Sequence, residues 1–219
     1  VVNLRTSGAR GADWIVIALG WGMAVFVGAS VADPSGGHLN PAVTLMLAVN
    51  GSLEWSLVPY YALGQILGAM VGAFLAWAAF KQLFDANNVD DAGNTTGANA
   101  TTGGIFFTNP AHPNNGWNAV TEFIATCVLL MFIAFGPTGG ELGPLSYFGV
   151  AFVVVAVGLS LGTPTGYAIN PVRDLGPRLM YAFVLPIKDK GTANWSYAWV
   201  PVVAPLLAAV AVGLLSMAL

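Results

Sequence analysis

His38-Leu39-Asn40-Pro41-Ala42-Val43 and Ala168-Ile169-Asn170-Pro171-Val172-Arg173 are two versions of one box, 130 positions apart in a chain of 219 residues. Each opens an apolar stretch too short to cross a bilayer, residues 40–50 and 170–184. Asn is a strong helix N-cap, and Pro at the first helical position gives up no intrahelical hydrogen bond, so each box predicts a helix start. Ten helical residues rise about 15 Å, half of a hydrocarbon core of roughly 30 Å. Two interfacial helices would satisfy these lengths, and so would two half-helices dipping to the midplane. Repetition favours the second reading. A glycine-bearing turn precedes each box, Pro34-Ser35-Gly36-Gly37 and Thr163-Pro164-Thr165-Gly166, and apolar spans flank both. Paired interrupted segments in matching positions of two halves point to a membrane transport site.

The surroundings of the boxes fit a membrane. Hydrophobic residues make up 56% of the chain and charged residues 8%, against about 25% charged in a soluble domain. Disorder needs the opposite balance. Seven Lys and Arg against ten Asp and Glu, net −3, leave no basic stripe for nucleic acid. One cysteine excludes an internal disulfide framework and a multi-thiolate metal site. Uncharged stretches predict spanning helices near 14–32, 56–80, 118–136, 147–162 and 198–219. Three of them separate the boxes, so the second half lies inverted relative to the first and the two short helices can meet N-terminus to N-terminus.

The predicted fold is therefore an all-α membrane protein, an inverted repeat with two re-entrant half-helices. It forms one channel domain over 1–219, with repeats at 1–80 and 118–219 and a connecting loop at 81–117. The first repeat begins at its second helix, so a first transmembrane helix is expected ahead of Val1. Segment 81–117, rich in Asn, Thr and Gly, reads as a surface loop, and Asn109-Pro110-Ala111 inside it as a turn because no apolar run follows. Four glycosylation sequons begin at Asn50, Asn94, Asn99 and Asn194, with Asn50 the least accessible because it ends a half-helix. Gly64, Gly68 and Gly72 recur every four residues, which suits a close helix crossing.

A helix N-terminus carries roughly half a positive elementary charge and free N–H groups. Two facing N-termini give a positive midpoint that repels protons and cations while a neutral solute accepts hydrogen bonds. Asn40 and Asn170 are expected to cap those ends and to aim side-chain N–H groups at the permeating molecule. The turns Gly36, Gly37, His38, Leu39 and Gly166, Ala168, Ile169 are expected to offer backbone carbonyls as acceptors. Arg173 is a charge one turn inside a half-helix, costing about 2.5–3.5 kcal/mol on insertion scales, and lining the pore explains it better than snorkelling. Glu122 is a second intramembrane charge, expected to face inward and hold the second turn through backbone N–H groups. Asp174 either pairs with Arg178 or fixes the half-helix directly. Cys127 reads as a small buried hydrophobe and His38 as a packing ring.

The paired boxes, the flanking HLNPAVT and the run NPVRDLGPR together resemble the major intrinsic proteins, the aquaporins and glycerol facilitators, over the whole chain. Asp174 after the box arginine, the basic Arg178 and Val200-Pro201-Val202 at the last helix are similar to the glycerol-conducting branch. The second box departs from the family in reading Asn-Pro-Val. The resemblance implies a pore in each chain, a homotetramer, a multi-pass place in the cell membrane and no cofactor. It also implies a constriction formed by Arg173 with Trp21, Gly158 and Tyr167, in which the aromatic rings wall a carbon backbone, Arg173 donates to hydroxyls, and Gly158 leaves room. The implied solutes are glycerol and other small neutral molecules with water. A water-selective channel is the alternative, and a His at Gly158 would have favoured it. A closed structural protein, an enzyme and an ion-coupled transporter find less support, the last resting on Glu122 alone. The family pattern puts loop 81–117 outside, against the bias of Arg5, Arg10, Lys81, Lys188 and Lys190.

Overall fold

The computed structural model describes residues 1–136 and 145–219. Helix α1 is Trp14–Val31, α2 Pro41–Val49, α3 Val58–Ala79, α4 Lys81–Asn87, α5 Asn115–Phe135, α6 Ser146–Leu161, α7 Pro171–Phe183 and α8 Val200–Ala218. Four of these, α1, α5, α8 and α3 with the 3₁₀ turn ahead of it, are long and apolar enough to cross a membrane, and α6 is a shorter apolar helix. Their outer faces carry residues such as Val27, Leu67, Leu75 and Leu214, all more than half exposed. Such faces suit lipid and would be a liability in water.

The two short helices start where the boxes predict. Asn40 Oδ1 accepts from the Ala42 N–H at 2.9 Å, and Asn170 Oδ1 from Val172 and Arg173 at 3.1 and 3.3 Å. Pro41 and Pro171 take the first helical position. The nine residues of α2 span roughly 14 Å at about 1.5 Å each. In α7, Pro177 cannot donate to the carbonyl of Arg173, four residues back.

Packing follows the inverted repeat. Each half-helix lies on the last helix of the other half, α2 on α8 and α7 on α3, while α1 packs on α6. Glycines permit these approaches. A Cβ on Gly213 would stand 2.8 Å from Val49, one on Gly176 2.8 Å from Ala69, and one on Gly22 2.8 Å from the Ala151 carbonyl. The expectation for Gly64, Gly68 and Gly72 does not hold: a Cβ on any of them meets no atom within 4 Å among the described residues. They line a cavity instead. A four-residue spacing marks a smooth helix face but not what lies against it.

Segment 81–117 is not the open surface loop its composition suggests. It contains α4 and a 3₁₀ stretch at Ala98–Ile105, and it buries Phe84, Asn87, Asn99, Phe106, Phe107 and Thr108. Asparagine side chains supply the order that periodicity could not show. Asn87 donates to Asn99 and accepts from the Arg5 backbone N–H, and Asn99 donates to the carbonyls of Phe84 and Lys188. Asn99, 1% exposed, is accordingly the inaccessible sequon, while Asn50 is only half-buried. No helix opens at Asn109-Pro110-Ala111; bends lead from it to α5 at Asn115.

Candidate functional site: the meeting of the half-helices

A cavity of about 1100 Å³ runs past both boxes and is lined by Asn40, Asn170, Trp21, Tyr167 and Arg173, among others. At its middle the half-helices are tied to each other. Asn40 Nδ2 donates to the Ile169 carbonyl at 2.8 Å, and Asn170 Nδ2 donates to the Leu39 carbonyl at 2.9 Å. Each asparagine thus caps its own helix through Oδ1 and holds the opposite turn through one N–H. Of the two N–H groups of each amide, one is spent on the protein and one is left for a solute. The reason is that a turn carbonyl of the opposite half lies within reach, and an amide N–H at membrane depth takes a fixed acceptor.

The second turn is held in an unusual conformation. Tyr167 and Ile169 have φ of 38° and 44°, in the left-handed region that L-residues avoid, and a β-branched residue there is an outlier. Positive φ at alternate residues turns successive peptides. Glu122, fully buried on α5, holds the result: Oε1 accepts from the Ala168 N–H and Oε2 from the Ile169 N–H, both at 2.9 Å. The first turn has the same signature at Leu39, φ 53°, with Gly36 at 81° and Gly37 at 62°. There His38 stacks on Tyr61 with ring centres 4.6 Å apart and shares a hydrogen bond with Thr44, whose hydroxyl also accepts from Gln65. Gly36, Gly37, His38, Leu39, Ala168 and Ile169 line the cavity, and Gly166 does not. Gly166 packs instead on Thr108, whose Cβ and Cγ2 stand 3.1 Å from where its own Cβ would be.

Trp21, Gly158, Tyr167 and Arg173 come together, in an arrangement the sequence does not indicate. The Arg173 guanidinium does not face Trp21 across a gap; it lies 3.9 Å above the indole. No protein acceptor for that guanidinium occurs among the described residues, so its N–H groups are left to the cavity. Gly158 does not line the cavity. A Cβ there would stand 2.8 Å from the Tyr167 ring, so the room it leaves is taken by Tyr167. Trp14 completes the socket. Its Nε1 donates to the Gly158 carbonyl at 2.7 Å, and its ring meets Tyr167 edge-on at 6.0 Å. An aromatic at a helix start reads as an interfacial anchor, so only the fold distinguishes this use.

Tyr167 is 2% exposed and its hydroxyl has no hydrogen-bond partner among the described residues. The ring, not the hydroxyl, is therefore what the socket holds. Tyr167→Phe is expected to keep glycerol permeability within about twofold and to leave stability equal or raised by about 1 kcal/mol, since it removes a buried polar group left unpaired. Stopped-flow permeability and thermal unfolding of the purified variant check this, and a clear loss in either would give the hydroxyl a role.

Asp174 does both things left open for it. It pairs with Arg178 at 2.7 Å and accepts from Thr108, with both charged side chains fully buried. At the far end of α7, Lys190 donates to the carbonyls of Tyr181 and Leu185, where a cation complements the helix C-terminus. Burial lowers the pKa of that amine. No group of three or more metal-ligating side chains occurs among the described residues.

Residues 1–216 match the family described as Major intrinsic protein. The chain is 43% identical over 210 residues to a glycerol uptake facilitator protein of Streptococcus pneumoniae, covering 95% of this chain and 85% of that one. It is 44% identical over 208 residues to the glycerol uptake facilitator protein of Bacillus subtilis, covering 94% and 72%. The X-ray structure of the aquaglyceroporin from Plasmodium falciparum superposes with a TM-score of 0.79 at 30% identity, covering 97% of this chain and 85% of that one.

Proposed function

The chain belongs to the major intrinsic protein family, and we propose on that premise that it is a passive transmembrane channel conducting glycerol and other small neutral solutes, with water, while excluding protons and ions. It is an integral membrane channel of several spans, not an enzyme. One observation carries the reading: the reciprocal bonds of Asn40 and Asn170 hold two helix N-termini together on a cavity that continues to Arg173. Two N-termini raise the potential where a cation would have to pass. A neutral hydroxyl instead finds the remaining asparagine N–H groups and the carbonyls of the two turns.

We further read Trp21, Tyr167 and Arg173 as the solute-selecting layer, with Gly158 acting through Tyr167. Because the guanidinium rests on the indole, a polyol entering this layer exchanges with it. The solute's C–H face takes the Trp21 ring while its hydroxyls accept from Arg173. A cation on an aromatic face is worth about 0.5–2 kcal/mol, and a hydroxyl stripped of water regains about 1 kcal/mol per net hydrogen bond, so the exchange is close to balanced. The exposed apolar faces support lipid contact and a place for sister subunits in a homotetramer. The packing of α2 on α8 and α7 on α3 supports one channel domain whose repeats, 1–80 and 118–219, are joined through 81–117.

Stopped-flow light scattering on proteoliposomes tests the function. Glycerol entry well above protein-free vesicles, together with fast water, is expected. Fast water with glycerol at the protein-free rate would favour the water-selective alternative.

A further inference from the structure

Arg173 and Asp174 are neighbours on α7 and face opposite ways. Arg173 serves the cavity, whereas Asp174 and Arg178 are sealed behind it. Arg178 places all of its N–H donors. Nε goes to Asp174 Oδ1 at 2.7 Å, Nη2 to Asp174 Oδ2 at 3.0 Å and the Thr108 carbonyl at 2.9 Å, and Nη1 to the carbonyls of Ala193 and Asn194. Asp174 Oδ2 also accepts from the Thr108 N–H at 2.8 Å and the Thr108 hydroxyl at 2.7 Å. A buried pair is costly unless its remaining donors and acceptors are filled. Here they are filled by segments far apart in sequence, so the pair locks α7 to the stretch around Thr108 and to the loop after α7.

Thr108 is the joint of this lock. One side of it grips Asp174, the residue after Arg173. The other side lies on Gly166, the residue before Tyr167, whose φ of +83° and missing Cβ suit this approach: a Cβ there would stand 3.1 Å from Thr108 Cβ and Cγ2. Thr108 itself is 4% exposed and does not line the cavity.

We propose that Thr108 is a positioning residue for solute selection: by holding Asp174 through its hydroxyl and N–H and Gly166 through its methyl, it sets the spacing between the Tyr167 wall and the Arg173 donors, and with it the ratio of glycerol to water conducted. This rests on the reading of Tyr167 and Arg173 as the selecting layer. Glycerol needs wall and donors at once, while water needs a single donor, so slack in that spacing penalises glycerol more.

The test is the glycerol-to-water permeability ratio in proteoliposomes. Thr108→Ala removes hydroxyl and methyl together and is expected to lower the ratio by about fivefold, the factor corresponding to one net hydrogen bond. Thr108→Ser restores the hydroxyl and is expected to recover at least half of the loss on a logarithmic scale. If Thr108→Ala does not reconstitute, Thr108→Val carries the test, because it keeps the contact with Gly166 and loses only the hydroxyl bond. A ratio unchanged in the reconstituted variant, with glycerol and water falling together, would overturn the proposal by showing a purely structural role. Arg173→Val separates the two levels of argument. If it too leaves the ratio unchanged, the reading of the selecting layer is wrong; if it shifts the ratio and Thr108→Ala does not, only the positioning role fails.

Discussion

Methionine in place of Arg178 is expected to destabilise the folded channel by about 3–5 kcal/mol, the cost of leaving a buried partner charge uncompensated. Asp174 is fully buried and loses two of its four hydrogen bonds in that variant, while the carbonyls of Thr108, Ala193 and Asn194 lose theirs. No water is expected to compensate behind a helix whose other face is already the lumen. Removing both charges, Arg178→Met with Asp174→Leu, is expected to recover a large part of the loss, since it is the unpaired charge and not the missing pair that costs most. Thermal or denaturant unfolding in detergent measures both variants. A single variant within about 1 kcal/mol of the parent would mean that the lock bears little of the fold.

The second large effect is expected at Glu122. Its two oxygens serve two consecutive N–H groups, and hydrogen bonds to a charged group contribute about 1.5–3 kcal/mol each. The peptides they hold belong to a turn with Tyr167 and Ile169 at positive φ, a conformation that persists only where its surroundings over-determine it. Glu122→Gln keeps one acceptor oxygen and turns an NH₂ group toward the other N–H. The turn is then expected to relax, so that Asn40 loses the Ile169 carbonyl and the lumen narrows at its middle. Glycerol and water permeability per folded channel should both fall about tenfold or more, unlike the selective change expected at Thr108. Near-parental permeability in Glu122→Gln would show that the turn is held without the carboxylate. Because both oxygens are engaged by backbone, Glu122 has a structural occupation that an ion-coupling role would have to break.

Much of this protein was legible before any coordinates. Helix starts follow from Asn-Pro, spans follow from uncharged lengths, and both signals are local. The inward placement of Glu122 and Arg173 was legible for a related reason: a charge in hydrocarbon has few places to go. What could not be read were contacts made across the chain. Thr108 lies in a polar segment without periodicity, and nothing near it in sequence marks it as the partner of Asp174 and Gly166. A glycine such as Gly158 signals open space and equally the seat of another ring, and the four-residue spacing of Gly64, Gly68 and Gly72 signals a crossing although they face a cavity.

From sequence alone it follows that the chain lies in a membrane, that it carries two inverted half-helices headed by Asn40 and Asn170, and that Glu122 and Arg173 turn inward. Those properties are set by apolar length, by capping chemistry and by the cost of ions in lipid, all of which act within a few residues. Only the tertiary structure decided that each asparagine holds the other's turn, that Arg173 rests on Trp21, that Tyr167 fills the room beside Gly158, and that Asp174, Arg178 and Thr108 close one lock. Most of those arrangements depend on which atoms meet when segments 66 or more positions apart are packed together, and no local spacing encodes them.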